Sequence, residues 1–216
     1  MAETARYVPA LGRDSLTALY DPVLKLATRE RTFKERLLQQ AHLGDGVDVL
    51  DLGCGTGTLA VWAKQRVPAA SIVGLDGDER MLAKARGKAA RAGVEIRFDQ
   101  GLSFDLPYPD GSFDRVVTSL FFHHLTDRDK ERTIREIRRV LRQGGELHVA
   151  DWGEPADPFM GALSQSIRLL DGSETTRANL AGELPRLFER GGLRHVRTRG
   201  GLRTITGSLA FYSAER

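Results

Sequence analysis

The sequence has little cysteine and no long apolar run, and both shortages limit what the protein can be. A single cysteine, Cys54, has no partner for an intrachain disulfide and cannot form a cysteine-only metal site. No apolar run approaches the roughly 18 residues of a membrane-spanning helix, and residues 1–6 lack the apolar segment of a signal peptide. Because histidine, aspartate and glutamate share no recognised metal-ligand spacing, we expect no metal. We therefore predict a soluble, cytoplasmic protein.

Size and charge restrict the chain further. With 216 residues and 41% hydrophobic content, it can bury one sizeable core, so a single domain is expected. The formal net charge of +3 is only mildly basic. The arginines of residues 186–203 could attract an acidic partner, but acids are interspersed along most of the chain, so we favour an ordinary solvated surface. There are no internal repeats, linkers or low-complexity tracts.

One short stretch, residues 47–58, organises the rest of the chain. Its apolar run contains Asp51 and is followed by three glycines at alternate positions, Gly53, Gly55 and Gly57. Glycine is required where the backbone turns tightly or lets a ligand approach, because a Cβ atom would collide there. Residues 59–66 continue as a helical segment. The pattern is typical of a buried strand that turns sharply into a helix, with Cys54 as a small buried residue of the turn, not a nucleophile.

A second apolar run, residues 71–75, ends in Asp76. A carboxylate at the end of a second parallel strand is placed to bind the two hydroxyls of a ribose. Thr58 stands where the dinucleotide-binding pattern G-x-G-x-x-G would place its third glycine, which argues against a pyrophosphate ligand. Asp51 precedes the first glycine by two residues and can accept a hydrogen bond from a cationic amine. Both features suit a ligand with an ammonium group and no pyrophosphate, such as S-adenosylmethionine.

Four motifs in register resemble a known family. They are residues 51–57 with Asp76, residues 106–114, residues 123–125 and residues 139–145. Their order and spacing are similar to those of class I S-adenosylmethionine-dependent methyltransferases, in particular the branch with the ubiquinone/menaquinone-biosynthesis methyltransferases and many small-molecule methyltransferases. The resemblance covers about residues 45–151 and, more loosely, the last thirty residues. It implies S-adenosyl-L-methionine as cofactor, S-adenosyl-L-homocysteine as product and methylation as the reaction.

The resemblance also implies a set of cofactor-binding residues. They are Asp51, Gly53, Cys54, Gly55, Gly57, Asp76, Gly77, Met81, Leu102, Ser103 and Leu120. At the adenine site the chain departs from the family, because Leu102 stands where an acid commonly accepts the exocyclic amine. Adenine would then be held by apolar stacking, by backbone groups of residues 102–103 or by Ser103, with Asp99 or Asp105 as substitutes on a shifted loop.

The acceptor side is expected after the fourth and fifth strands. His123 and His124 are candidate general bases, since histidine titrates near neutral pH, but a His pair before a helix can also serve only capping and packing. Candidate substrate-binding residues are Tyr20, Phe121, Asp151 and Trp152. His148, inside a strand, is expected to be structural. Enzymes that methylate amines of nucleic-acid bases carry an Asp/Asn-Pro-Pro-aromatic motif where this chain has residues 119–122, so we expect no nucleic-acid acceptor.

Alternating apolar patterns predict an α/β fold: a doubly wound, seven-stranded, mostly parallel sheet of Rossmann-like methyltransferase type with an antiparallel last strand. Predicted strands are residues 47–52, 71–76, 94–98, 113–120 and 146–150, then a hairpin of 193–200 and 203–213 around Gly200-Gly201. Predicted helices are two within 15–40, then 59–66, 79–92, 127–142 (ended by Gly144-Gly145) and a last one that includes Leu180 and Phe188. Within one methyltransferase domain, residues 1–44 form a helical cover, 45–151 the cofactor-binding core, 152–176 a substrate-lid insertion and 177–216 the last helix and hairpin.

The sequence therefore predicts a transferase that moves a methyl group to oxygen, nitrogen or carbon of a small-molecule or lipid-like acceptor. Two alternatives stay open. One is a cofactor-binding sensor or partner subunit of the same fold without catalysis, and the other is a nicotinamide-dependent oxidoreductase. The sequence does not determine the acceptor, the use of a general base or the oligomeric state.

Overall fold

The computed structural model describes residues 29–171 and 173–216, and within these it describes the side chains of all but 165–171 and 173. Tyr20 and the first of the two predicted N-terminal helices lie outside the described residues. The second of those helices is present as the first described element. The division of the chain into cover, core, lid and hairpin stays a prediction.

The described elements alternate between strands and helices. The strands are β1 (Asp48–Leu52), β2 (Ser71–Asp76), β3 (Arg97–Gln100), β4 (Phe113–Ser119), β5 (Leu141–Trp152), β6 (Arg194–Arg203) and β7 (Ser208–Glu215). The helices are α1 (Glu30–Ala41), α2 (Thr58–Arg66), α3 (Glu79–Ala92), α4 (Asp127–Val140), α5 (Pro158–Asp171), α6 (Ser173–Leu180) and α7 (Leu184–Arg190), and a 3₁₀ turn covers Phe122–His124.

The strands form one sheet of seven strands in the order β3-β2-β1-β4-β5-β7-β6. The pairs β1–β2, β1–β4, β2–β3 and β4–β5 are parallel, whereas β7 runs antiparallel to both β5 and β6. The predicted fold class is thus confirmed. In a sheet of this kind the loops after the parallel strands meet at one edge, and ligands bind there.

Side chains alternate across each strand, so the sheet has an apolar core on both faces. In β1, Val49 packs with Phe33 of α1 and Leu82 of α3 on one face. Its neighbour Leu50 packs with Ile134 of α4 on the other face. This two-sided burial explains why β1 reads as a nearly continuous apolar run.

Helix ends carry the capping groups that the sequence indicates. Asp78 begins α3 and its side chain accepts a hydrogen bond from the Arg80 N–H. Gly93 ends the same helix in the left-handed region, with a φ of 66°. The predicted boundaries of this helix, residues 79–92, are confirmed.

Two predicted boundaries beside β5 are wrong, and a strand irregularity explains both. The helix α4 ends at Val140, and β5 already begins at Leu141, which pairs with Phe113 of β4. Gly144 and Gly145 therefore lie inside a strand and do not stop a helix. Gly144 has a φ of 75°, and a Cβ atom on Gly145 would lie 2.9 Å from the Arg142 carbonyl oxygen. The two glycines let the strand bulge next to β4.

The predicted hairpin turn is also misplaced. Gly200 and Gly201 lie within β6, where the pairing with β7 shifts register between Thr198 and Gly201. The chain reverses instead at residues 204–207, where the Thr204 hydroxyl oxygen accepts hydrogen bonds from the N–H groups of Thr206 and Gly207. A hydroxyl that caps backbone donors makes this turn without a glycine pair.

Smaller differences concern β3, β4 and the last helices. The strand β3 is Arg97–Gln100 where residues 94–98 were predicted, and β4 ends at Ser119, not at residue 120. Leu180 ends α6, and α7 is a separate short helix. No helix in the described part of the chain is long and apolar enough to cross a membrane.

Candidate active site

The loop after β1 is tied to the end of β2. The N–H groups of Gly53 and Cys54 both donate to the Leu75 carbonyl, at 2.8 and 3.0 Å. The Gly57 N–H donates to the Cys54 carbonyl at 2.9 Å and closes the turn into α2. These main-chain bonds place the glycine loop directly beside the carboxyl end of β2.

Two of the loop glycines are required for different reasons. Gly53 has a φ of 68°, and the ring of Phe121 occupies the space that a Cβ atom would need. Gly55 has a φ of 54°, and a Cβ atom there would meet nothing within 4 Å. The first glycine therefore accommodates a packed aromatic ring, whereas the second keeps open space above the loop for a ligand.

Cys54 is buried beneath the loop. A Cβ atom added to Gly74 would lie 3.1 Å from its Sγ atom. Burial, together with the nearby carboxylates of Asp51 and Asp76, raises the pKa of the Cys54 thiol. The thiol stays protonated at neutral pH, so it is a packing group and lacks the thiolate that a nucleophile needs.

Asp51 is a buried carboxylate below the glycine loop. Its Oδ2 accepts a hydrogen bond from the Ala60 N–H in the first turn of α2, at 3.1 Å. Burial raises the pKa of Asp51 to about 7, although the positive charge of Lys34 on α1 acts in the opposite direction. A cationic group bound beside it would stabilise the ionised form.

Asp76 ends β2 and lines the other side of the loop. Its Oδ2 accepts from the Gly55 N–H at 2.8 Å, and its Oδ1 accepts from the Asp78 N–H at 2.9 Å. Burial raises the pKa of Asp76, and these backbone hydrogen bonds oppose the rise. A carboxylate has about four acceptor positions, so each oxygen can accept one more hydrogen bond from a ribose hydroxyl.

The loop after β3, where the sequence predicts the adenine site, carries an exposed apolar side chain. Leu102 is 36% exposed. The Ser103 hydroxyl is buried and hydrogen-bonded to the Thr133 hydroxyl at 2.8 Å, so its side chain is directed to α4. Asp99 accepts from Arg97 Nε at 2.9 Å and from Tyr108 Oη at 3.0 Å. The side chains of Ser103 and Asp99 are thus engaged elsewhere, and apolar contact with Leu102 is the predicted alternative that the geometry favours.

The remaining predicted cofactor residues flank this surface. The Gly77 carbonyl accepts from Gln100 Nε2 at 3.2 Å, and Met81 is half-buried in the first turn of α3. Asp105 is exposed, and its N–H donates to the Leu102 carbonyl at 3.1 Å. The loop after β3 is therefore closed on itself by a short bridge, with the Leu102 side chain outside.

The chain leaves β4 through a strained residue. Leu120 has a φ of 51°, which is uncommon for a residue with a branched side chain. Its N–H donates to the Ala150 carbonyl of β5 at 2.8 Å. Strain of this kind persists where surrounding contacts fix the backbone, and it is frequent at functional sites. Here it turns Phe121 over the glycine loop and the two histidines toward the end of β5.

His123 is bonded to Asp151 across the two central strands. Its Nδ1 lies 2.7 Å from Asp151 Oδ1, which also accepts from the Trp152 N–H. Asp151 Oδ2 accepts from the N–H groups of Phe121 and Phe122, at 3.0 and 2.7 Å. Burial would raise the pKa of Asp151, but attraction to His123 and these hydrogen bonds lower it. The acid is ionised at neutral pH and fixes the His123 ring.

This arrangement differs from the expectation that Asp151 lines the acceptor pocket. The side chain is fully buried, and both oxygens are used inside the protein. Its position at the end of β5 brings it to the histidines that follow β4, because those strands are neighbours in the sheet. Asp151 is therefore a positioning residue for the loop and for His123.

His124 and Trp152 complete the surroundings of His123. The ring centroids of His123 and His124 are 3.9 Å apart, and those of His123 and Trp152 are 6.3 Å apart. Burial and the neighbouring His123 lower the pKa of His124 to about 3. His124 is thus neutral at every physiological pH, whereas Trp152 is nearly buried in the core.

The helix α6 lies over the 3₁₀ turn, and two buried polar residues at this contact were not indicated by the sequence patterns. Lys130 of α4 is fully buried, and its Nζ donates to the carbonyls of Leu125 and Thr175, at 2.8 and 2.6 Å. Asn179 of α6 is also fully buried and contacts the end of β5. A charged side chain in an amphipathic helix resembles a surface residue, so no local signal identifies Lys130.

His148 has the structural role that its place in a strand suggested. It is buried, with Nε2 2.8 Å from Glu146 and Nδ1 3.3 Å from Gln40 Nε2. Burial lowers the pKa of His148 to about 4. Among the residues that the structure describes, no group of three or more histidine, cysteine or acidic side chains is arranged to hold a metal ion.

The residues at this edge fit the cofactor that the sequence indicated. Gly55 leaves room above the loop, Asp51 offers a buried negative charge, and Asp76 offers two carboxylate oxygens at the rim. Leu102 supplies an exposed apolar side chain next to them. The donor set suits a ligand with a cation, a ribose and an aromatic base, and nothing in it requires a pyrophosphate.

Comparison with known proteins gives the same assignment. Residues 49–145 match the family described as a methyltransferase domain. An uncharacterized methyltransferase, sll0829, of Synechocystis sp. is 32% identical over 184 residues, which cover 83% of this chain and 84% of that protein. The demethylmenaquinone methyltransferase of Thermus thermophilus is 43% identical over 115 residues, 53% of this chain. The match spans only about half the length of that relative, 51%.

A solved structure supports the fold. The S-adenosylmethionine-dependent methyltransferase of Aquifex aeolicus superposes with a TM-score of 0.67 at 19% identity, over 93% of this chain and 97% of that chain. A structural likeness at this identity shows the fold alone, whereas the more similar sequences show membership of a family. Taken with the glycine loop and the acids at the ends of β1 and β2, these relatives show that the chain belongs to the class I S-adenosylmethionine-dependent methyltransferases.

Proposed function

We propose that the chain is an enzyme that transfers the methyl group of S-adenosylmethionine to a small-molecule or lipid-like acceptor. The observation that carries the proposal is the meeting, at one sheet edge, of the Asp51–Gly55–Asp76 cofactor set with the His123–Asp151 pair. Phe121 connects the two, because its ring packs against Gly53 and its N–H donates to Asp151. Cofactor and acceptor groups are therefore adjacent.

The cofactor would be held by residues of three loops. Asp51 faces the ammonium group, directly or through water, and Asp76 accepts from the ribose hydroxyls. Gly55 would let the ligand approach the backbone, Gly53 and Gly57 would shape the loop around it, and Gly77, Met81 and Leu102 would border the adenine. Cys54, Ser103 and Leu120 take part only through their main chain, because the side chains of Cys54 and Ser103 are buried and that of Leu120 packs against the core. When bound, the cofactor supplies an electrophilic methyl group on a sulfonium sulfur.

On the acceptor side, His123 is the proposed general base. Asp151 holds Nδ1 and fixes the orientation of the ring that would take the proton of an acceptor hydroxyl. His124 is neutral and packed against His123, which suits it for shaping the pocket more than for proton transfer. Phe121 and Trp152 would supply apolar walls. Alignment of the acceptor with the methyl group supplies much of the rate even where no proton has to move.

The segment after β5 is proposed to be the substrate lid. The α6 helix packs on the turn that carries the histidines, and Lys130 joins it to α4 through the Thr175 carbonyl. An acceptor between these histidines and α6 would be shielded from water. Relatives named demethylmenaquinone methyltransferases and UbiE favour a quinol-like, lipid-like acceptor for this site. A cytoplasmic location and the absence of a nucleic-acid partner stay predictions.

The experiment is calorimetric titration with S-adenosylmethionine, S-adenosylhomocysteine and NAD, followed by turnover with a panel of phenols, amines and a demethylmenaquinol. We expect binding of the first two ligands, no binding of NAD and methylation of at least one acceptor. Asp76→Ala should weaken cofactor binding, whereas Asp45→Ala, on the exposed loop before β1, should not. Binding without any turnover would favour the non-catalytic sensor, and unchanged binding by Asp76→Ala would remove the ribose assignment.

A further inference from the structure

Asn179 has an unpaired polar atom inside the protein. The residue is fully buried in α6, and its Nδ2 donates weakly to the Trp152 carbonyl at 3.4 Å. Its Oδ1 has no hydrogen-bond partner. Rotation of the amide by half a turn does not help, since the oxygen would then face the Trp152 carbonyl and the NH₂ group would be unpaired.

An unpaired buried carbonyl is costly and needs a physical reason. Such a group loses its hydrogen bonds to water on folding without replacement, and the great majority of buried polar groups in proteins are paired. An apolar side chain of similar volume, such as leucine, would avoid this cost at residue 179. A ligand that donates a hydrogen bond to the amide oxygen would explain why asparagine stands there.

Asn179 lies near the end of β5 and the turn of the two histidines. Its contact, Trp152, ends β5 and follows Asp151, which holds the His123 ring. The Trp152 ring lies 6.3 Å from the His123 ring, centroid to centroid. The helix that carries Asn179 packs against the 3₁₀ turn of the two histidines. Asn179 therefore lies on the side of the site that carries the histidines, where the acceptor is proposed to bind.

Other acceptor groups in this region are already used. Both Asp151 oxygens accept main-chain or His123 hydrogen bonds. The carbonyls of Leu125 and Thr175 accept from Lys130. Among the side chains that the structure describes here, Asn179 Oδ1 has the capacity to accept a new hydrogen bond.

We propose that Asn179 is a specificity-determining residue, which recognises the methyl acceptor by taking a hydrogen bond from its hydroxyl or amine group. The inference rests on the proposed methyl transfer and narrows its substrate class to acceptors that carry a hydrogen-bond donor beside the methylated position. A hydroquinone ring is such an acceptor, whereas its fully etherified form is not. A site built to pair a donor rejects an analogue without it, because the buried oxygen is then left unpaired.

The test uses three variants of the full chain. Asn179→Leu removes the polar atoms at similar volume, and Asn179→Ala leaves room for a water molecule to replace the amide oxygen. Thr118→Val is the matched control, because the Thr118 hydroxyl is also buried and unpaired but lies inside β4. Each variant is measured for its unfolding midpoint without ligand, its affinity for S-adenosylhomocysteine, and KM and kcat with the hydroquinone of a short-chain demethylmenaquinone.

We expect Asn179→Leu to unfold at the same or a higher temperature and to bind S-adenosylhomocysteine as the natural chain does. Its KM for the hydroquinone should rise about tenfold or more, which is the size of effect expected when a polar site loses a hydrogen bond to its substrate. The KM of Asn179→Ala should lie between that of the natural chain and that of Asn179→Leu, and Thr118→Val should leave KM unchanged. A lower unfolding midpoint with unchanged KM would show a structural role and overturn the inference.

The two proposals fail in different ways. If the natural chain binds S-adenosylhomocysteine but does not turn over the hydroquinone, the quinol-like acceptor fails. Asn179→Leu is then measured with an acceptor of the phenol and amine panel that the natural chain does methylate, where a raised KM supports the inference and an unchanged KM overturns it. If the natural chain methylates no acceptor at all, the proposed methyl transfer fails, and the inference that rests on it fails too.

Discussion

The protonation of Asp51 should control how tightly the cofactor binds. Burial raises the pKa of this carboxyl to about 7, with Lys34 of α1 and the Ala60 N–H of α2 opposing the rise and Asp76 of β2 adding to it. Only the ionised form attracts an ammonium group. The contribution of Asp51 to binding is therefore present above pH 7 and is lost as the pH falls through 7.

The magnitude follows from the ionised fraction. With a pKa of about 7, about nine tenths of Asp51 is ionised at pH 8 and about one tenth at pH 6. If only the ionised form binds tightly, affinity falls about tenfold between these pH values. At pH 7 about half a proton should leave the protein for each cofactor bound.

The assay is calorimetry with S-adenosylhomocysteine at pH 6, 7 and 8, in two buffers with different ionisation enthalpies. Asp51→Asn is the control, since it keeps the shape of the side chain but cannot ionise. The amino group of the ligand also titrates, so the quantity to compare is the ratio of the natural chain's affinity to that of the variant. A ratio that does not change with pH, or no buffer dependence at pH 7, would refute the reasoning.

The same carboxyl links function to stability. The folded-state pKa of about 7 lies above the 3.8 of an ordinary aspartate, so the folded chain binds more protons between these values and loses stability as the pH rises through them. The upper limit of the loss is about 4 kcal/mol. Asp51→Asn should therefore unfold at a higher temperature than the natural chain at pH 8 while it binds the cofactor less tightly, which thermal unfolding can measure.

Three further changes test other parts of the site. Gly53→Ala should lower stability by about 2 kcal/mol or more and abolish cofactor binding, because residue 53 has a positive φ and the ring of Phe121 occupies the space of a Cβ atom. Gly44→Ala is the control for the unfolding and titration experiments, and it should change neither quantity because residue 44 has open space around it. Lys130→Met should lower the free energy of unfolding by about 2–4 kcal/mol in urea, since two buried carbonyls lose their donor, and a loss below 0.5 kcal/mol would contradict the anchor role. Asp151→Asn should reduce kcat by about tenfold or more with cofactor affinity nearly unchanged, and equal loss of both would indicate a folding defect.

The sequence predicted β1, β2 and the glycine loop well because their signals are local. Two apolar runs, alternate glycines and the acids Asp51 and Asp76 define β1, β2 and the glycine loop that follows β1. Each of these features depends on neighbours within a few residues. Asp51 and Asp76 are therefore found without knowledge of the rest of the sheet.

Non-local pairing explains what the sequence did not reveal. Gly144-Gly145 and Gly200-Gly201 have the local appearance of a helix stop and a turn, yet both pairs lie in strands whose partners are elsewhere in the chain. The His123–Asp151 bond joins residues 28 apart and depends on the register of β4 against β5. The place of Asn179 in the site depends on how α6 packs on the 3₁₀ turn, and no sequence periodicity indicates that packing.

The ring of Phe121 fills the place of the missing Gly53 side chain, and this contact has an evolutionary consequence. Phe121 is proposed to line the acceptor pocket, and a larger or smaller side chain there would also disturb the glycine loop. New acceptors are thus more easily accommodated through substitutions in α6, which packs against the turn that carries the histidines. Changes of substrate within this lineage should therefore be concentrated in α6, the proposed lid helix. Residue 121 should stay constant because it also packs against Gly53.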